Sequence, residues 1–179
     1  MKQTYFETAN FYLRGFEQTD LEYLQTWLDN KDVTHFLEMG RRPTRQKDLE
    51  NFLNTAQCEE SAIVFCIVDS QSKLPIGYCG LYLIDWVSKR AQLNIMIGET
   101  KFWDHGVGSE SCHILLKYAF EHLNLNSVQL GVNVENKRAC KAYEKVGFVL
   151  EGKRREFLFC NGKYNDMAVY SVLKSEYTG

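Results

Sequence analysis

Proline is nearly missing from this sequence, with two among 179 residues, and no glycine- or serine-rich stretch stands in for a linker. A second domain or an internal repeat has nowhere to begin, so residues 1–179 are expected to form one domain. Neither sign of charge is in excess. The formal net charge is −2, which offers nucleic acid no basic field. No apolar run approaches the roughly 20 residues that span a bilayer. The opening MKQTYFETANFYLRGF lacks the apolar centre of a secretion signal, so no membrane partner is expected. The six cysteines contain no CxxC pair, and most sit among apolar neighbours, as Cys66 does in IVFCIV. That usage argues against bridges and zinc, and fits small core thiols in a reducing, cytoplasmic setting. Familiar catalytic signatures are missing too. There is no GxxxxGK[ST] and no GxSxG, and a dinucleotide fingerprint would need glycine where Ser111 stands. The four histidines (35, 105, 113 and 122) have no metal-ligand spacing, so no metal site is expected.

What the chain does have is concentrated between Leu93 and Leu123. In Leu93–Gly98 the apolar residues crowd together, and β-branched Ile95 and Ile97 favour an extended backbone. From Val107 the pattern turns helical, with Cys112, Leu115, Ala119 and Leu123 on one face. Gly106 and Gly108 lie between the two patterns. Glycines there permit a tight turn and leave backbone N–H groups uncovered where the helix begins, an arrangement able to hold a phosphate. An ordinary strand–helix junction would show the same two glycines.

The remaining elements follow from local pattern. Phe11–Phe16 alternates as a strand, with Leu13 inward and Arg14 outward. Asp20 is expected to cap a helix carrying Leu21, Leu24 and Leu28, and Thr44 a second one with Leu49, Phe52 and Leu53 as its stripe. Strands are expected at 62–69, 76–84, 89–98 and 127–134, and a helix over 137–146 ending at Gly147. A hairpin closes the chain, turning at Asn161-Gly162. This order makes a mixed sheet covered by helices. In NVENKRACKAYEKVGF, Asn136 precedes the helix, and Ala139 and Tyr143 share a face. Read alone, these are equally a polar cap and a core tyrosine.

Together, IMIGETKFWDHGVGSES and NVENKRACKAYEKVGF resemble the GCN5-related N-acetyltransferase (GNAT) superfamily. The branch holding ribosomal-protein N-terminal and spermidine acetyltransferases is the most similar. FYLRGFEQTDLEYLQTWL and the ending GFVLEGKRREFLFCNGKYNDMAVYSVLKSEY extend the resemblance over most of the chain. The family's pyrophosphate signature, Gln/Arg-x-x-Gly-x-Gly/Ala, reads here Trp103-Asp104-His105-Gly106-Val107-Gly108, with Trp103 in place of the usual first residue. The resemblance implies an α/β (α+β) fold: a mixed, mostly antiparallel sheet of six to seven strands, splayed central strands and about four helices.

It also implies the chemistry. Acetyl-CoA would be the cofactor, its pyrophosphate on the backbone N–H groups from His105 through Val107 to Ser109. Its pantetheine arm would pair as a pseudo-strand with Ile95, Met96 and Ile97 and meet Asn136, near Ala139. Backbone N–H near Ile95–Met96 would polarise the thioester carbonyl, and Tyr143 would protonate the departing thiolate. Lys137 and Arg138 are candidates for the adenosine end. The acceptor would be a small-molecule or peptide amine entering opposite the cofactor, past Phe36, Tyr82 and Trp86, with Glu38 and Asp85 drawing a cation. Gln92 and Asn94 stand where many relatives carry a basic carboxylate, and Gly131 where others do. Proton removal is therefore expected from a water chain or from a carboxylate reaching in from outside, with Glu99, Glu38 and Asp85 as the candidates. A homodimer is a common assembly in such proteins. A CoA-binding regulatory module without catalysis is the alternative.

Overall fold

The computed structural model describes residues 4–37 and 42–178. Its strands are β1 (Thr4–Glu7), β2 (Phe11–Gly15), β3 (Ile63–Asp69), β4 (Pro75–Asp85), β5 (Arg90–Ile97), β6 (Ser127–Asn133), β7 (Val149–Cys160) and β8 (Lys163–Leu173). The helices are α1 (Leu21–Asp29), α2 (Lys31–Thr34), α3 (Gln46–Cys58), α4 (Val107–Lys117) and α5 (Lys137–Val146). One sheet holds all eight strands in the order β1-β2-β3-β4-β5-β6-β8-β7. Every neighbouring pair is antiparallel except β5 and β6, which run parallel. The mixed, mostly antiparallel sheet is therefore as expected. The added strand is β1, four residues on the outer edge, too short and too exposed to carry a clear alternation.

Helices cover both faces, and period-two alternation in the strands sorts the core between them. On one face Phe65, Ile67, Cys79, Leu81 and Leu93 pack with Leu115 and Leu116 of α4 and with Val146 of α5. On the other, Val64, Cys66, Val68 and Met96 pack with Leu24, Trp27 and Leu28 of α1 and Leu49 of α3. Each large side chain so buried contributes about 1.5–3 kcal/mol. β3 is enclosed from both sides, which is why it reads as an unbroken apolar run.

That two-sided cover corrects three local expectations. Arg14 is not outward. Its strand face lies under α1, so it is 4% exposed, and its guanidinium meets Asp20 in two bonds of 2.6 and 2.7 Å. Asp20 is thereby taken from helix capping; its carboxylate accepts also from the Glu17 N–H at 2.8 Å, and it makes no side-chain cap on α1. Thr44 does not cap α3 either. Arg45 is the cap residue, its N–H held by Asp48 at 3.2 Å, while the Thr44 hydroxyl donates to Asp29. At the chain's end the hairpin turns where Asn161-Gly162 directed it, with φ of 53° and 78°. Among the described residues no helix is long and apolar enough to cross a membrane.

Candidate active site

The centre of the sheet parts. β5 and β6 are registered at Arg90–Ser127, Ala91–Val128 and Gln92–Gln129 and nowhere further, although β5 continues to Ile97 and β6 to Asn133. Past Gln92, the side of β5 that faces β6 carries no ladder partner among the described residues. β5 stays straight because its other side is paired with β4 as far as Gly77–Ile97. Ile95 and Ile97 are half-buried against the α4 layer, whereas Met96 is buried against α1 and α3.

At the open end, the chain leaves β5 through a short 3-10 turn and enters α4 at Gly106, whose φ is 82°. Only a residue without Cβ adopts that angle without strain. A Cβ built at Gly106 or Gly108 meets no heavy atom within 4 Å, so the side-chain side of both positions is open. The geometry suits an anionic group at the positive end of an eleven-residue helix. The loop before it is tied down on both sides. Trp103 donates its indole N–H to the Ile97 carbonyl at 2.8 Å, and the Arg138 guanidinium from α5 stacks 3.9 Å from the Trp103 ring centroid. Arg138 also lies 4.0 Å from Asp104, whose φ of 62° is the left-handed value that aspartate tolerates. His105 sits against the Trp103 carbonyl, 2.7 Å away, leaving its backbone to the turn.

The second wall is the start of α5. Asn136 caps this helix, its side-chain oxygen accepting from the Ala139 N–H at 3.2 Å. Tyr143 follows one turn after Ala139, half-buried and edge-on to Phe148. Burial, first, and nearby Cys112 and Cys140 push its phenol well above the ordinary tyrosine range. A cleft of about 550 Å³ opens at the start of α5, lined by Thr100 and Trp103 from one wall, Asn136, Lys137 and Arg138 from the other, and Phe36 beyond α2; Tyr143, Ile95 and Gly106 are not among its lining residues.

The acceptor-side candidates divide. Phe36 lines the cleft. Glu99 stands directly after β5, with its carboxylate accepting the Trp27 indole N–H at 3.0 Å; Trp27 comes this close because a Cβ at Gly98 would overlap its ring. Tyr82 lies on β4 opposite Gln92, where the seam is still closed, and its hydroxyl is buried without a partner among the described residues. Asp85 and Trp86 lie beyond the closed end. Asp85 accepts from the Val87 and Ser88 N–H groups and pairs with Arg90, and the Trp86 indole donates to the Glu60 carbonyl. The site geometry does not bring these two together with Phe36. Glu38 is outside the described residues. A Cβ on Gly131 would sit 2.7 Å from the Met167 sulfur, so a side chain there would have to displace the end of that methionine.

Sequence reading missed a second compartment of about 170 Å³ adjoining the cleft. Its walls are His35 and Phe36 after α2, Asn133 and Glu135 at the end of β6, and Asn161 and Lys163 from the hairpin. Asn161 was legible only as a turn residue. In the fold its side-chain amide reaches across to the His35 carbonyl at 3.3 Å.

A sheet parted beside a glycine-initiated helix is a seat for an extended ligand with an anionic group. Residues 10–149 match the family model described as the acetyltransferase (GNAT) domain, and the chain is a member of that family. It is 31% identical over 166 residues to a spermidine N(1)-acetyltransferase from Vibrio cholerae, covering 92% of this chain and 94% of that one. An uncharacterized N-acetyltransferase, p20, from Bacillus licheniformis is 29% identical over 174 residues, covering 96% and 97%. A crystal structure of a Vibrio cholerae spermidine N-acetyltransferase in complex with CoA and spermine superposes with a TM-score of 0.85 at 29% identity, over 96% of this chain and all of that one.

Proposed function

We propose that this protein is an acetyl-CoA-dependent N-acetyltransferase in which a primary amine attacks the thioester directly. The observation that carries the reading is the β5–β6 seam, which parts after three registered pairs and opens beside the Gly106 helix start. When bound, acetyl-CoA supplies an activated acetyl carbon; everything else is done by the chain. The N–H groups from His105 to Ser109 hold the pyrophosphate. The unpartnered side of β5 around Ile95, Met96 and Ile97 accepts the pantetheine arm as a strand would, and its N–H groups polarise the reacting carbonyl. The Asn136 oxygen is engaged by Ala139, so its NH₂ is the group that turns to the arm. Lys137 and Arg138 sit where the adenosine end would lie.

Tyr143 gives its hydroxyl proton to the departing sulfur. A phenol held protonated by burial is suited to be that acid and unsuited to be a base at neutral pH. Proton removal from the amine falls to water, because Gln92, Asn94 and Gly131 supply no carboxylate and Glu99 is held by Trp27. Holding both reactants in line contributes the largest share, up to about 7–11 kcal/mol of the barrier. Self-association belongs to the same reading: β7 is an outer strand on which Leu150, Phe157 and Phe159 are exposed.

The test is a melting curve with and without acetyl-CoA, followed by CoA release over polyamines, amino sugars, aminoglycosides, amino acids and N-terminal peptides. A raised Tm and release with at least one amine are expected. An unmoved Tm at saturating acetyl-CoA overturns the reading, and a raised Tm with no release from any amine leaves a CoA-binding module.

A further inference from the structure

The small compartment beside the cleft carries its own chemistry. Asn133 ends β6 and is 3% exposed. Its side-chain oxygen accepts from the Glu135 N–H at 3.0 Å, which fixes which way the amide faces. The NH₂ is therefore committed as a donor, and it is buried with no hydrogen-bond partner among the described residues. A buried donor left so costs about 1–3 kcal/mol, so the position calls for an acceptor oxygen. Across the compartment stands Lys163, just past the hairpin turn. Neither Lys163 nor Glu135 is engaged in an ion pair among the described residues. Among the described residues the compartment thus offers one ammonium and one carboxylate without an ion-pair partner, and an unspent amide donor.

That set suits a molecule carrying both charges, and it disfavours a polycation. The adjoining cleft shares His35, Phe36 and Glu135 with it. Among the described residues that line the compartment, a chain of ammonium groups would find one carboxylate, Glu135, and would face Lys163. We propose that the acceptor is a small amino carboxylate, a free amino acid. Its carboxylate lies on Asn133 and Lys163 and its α-ammonium is drawn by Glu135. This inference rests on the acetyltransferase reading above and names its acceptor. The reaction balances. The α-ammonium first gives one proton to water; the neutral α-nitrogen then gains the acetyl carbon as the C–S bond breaks, and its second proton replaces, through water, the one Tyr143 gives to the departing sulfur, so one proton is released per turnover.

The experiment measures CoA release by the full chain at saturating acetyl-CoA with free amino acids, their decarboxylated amines, dipeptides and spermidine. At least one amino acid is expected to exceed its decarboxylated counterpart, its dipeptide and spermidine by tenfold or more in kcat/KM. Lys163→Glu, an exposed change that leaves the core intact, is expected to raise the KM for that amino acid at least tenfold with kcat little altered. The rise in Tm caused by acetyl-CoA should persist in this variant. Preference for a decarboxylated amine, a dipeptide or spermidine overturns the inference, as does an amino-acid KM unmoved by Lys163→Glu. Failure of the underlying reading is distinguishable, because it shows as an unmoved wild-type Tm with acetyl-CoA or as no CoA release from any amine, whereas failure of this inference shows as release that favours another amine.

Discussion

β5 has two neighbours and is bound to them unequally. Against β4 it is registered from Asp85–Arg90 to Gly77–Ile97, with one irregularity between Tyr82 and Asp85. Against β6 it is registered at three positions. The closed seam is packed backbone to backbone: a Cβ on Gly77 would overlap the Met96 carbonyl oxygen. The open seam ends at a glycine with nothing within 4 Å of its absent side chain. A sheet can thus present unpaired N–H and C=O groups in its middle, normally a liability of edges, provided one seam remains fixed while the other lets go.

The largest expected effect acts on the open side. Tyr143→Phe should lower kcat about a hundredfold or more while sparing the Tm rise from acetyl-CoA, measured by CoA release and melting. In the unsubstituted enzyme the phenol's pKa is raised, so it stays protonated as pH climbs. The rate should rise as the amine loses its proton and show no fall from Tyr143 below about pH 10. Gly106→Trp should erase cofactor binding. Acetyl-CoA at a hundredfold excess over Kd stabilises the wild type by about 2.7 kcal/mol, and the variant should show none of it in a melting experiment.

On the closed side the signature reverses. Gly77→Ala should cost about 1–3 kcal/mol in urea unfolding, because backbone atoms of β5 cannot move aside, and should still bind acetyl-CoA when folded. The smallest effect is at the tie between the walls. Arg138→Ala removes a stacked cation worth about 0.5–1 kcal/mol at an exposed site, so the KM for acetyl-CoA should rise roughly two- to fivefold. If Gly77→Ala and Gly106→Trp gave the same pair of readouts, the distinction between the seams would be broken.

Much of this was legible from residue order. The change from an apolar run to helical spacing around Gly106 located the strand, the turn and α4, because glycine conformation and amphipathic period are local properties. The Asn161-Gly162 turn was local in the same way. The misses lie in how side chains pair once the elements have formed, some between near neighbours and some across the fold. Arg14 looks like a solvent residue until α1 is laid over its strand face. Asp85 looks like a free carboxylate until the β4–β5 turn folds back on it. Asn133 reads as an ordinary strand end, and nothing near it in the chain announces Lys163, which arrives from thirty residues away. The one early hint was the doubled asparagine of NVEN, of which only Asn136 fitted a known pattern.

The Arg14–Asp20 pair carries a constraint on how this protein can vary. Their side chains are 5% and 2% exposed, so losing either one strands the other's charge beneath α1, at about 3–5 kcal/mol, a large part of the whole stability of a typical domain. Replacing both with apolar residues of similar size can be nearly neutral. The two positions are therefore bound to drift together or not at all, and a single-step path between the charged and the apolar version passes through a protein that barely folds.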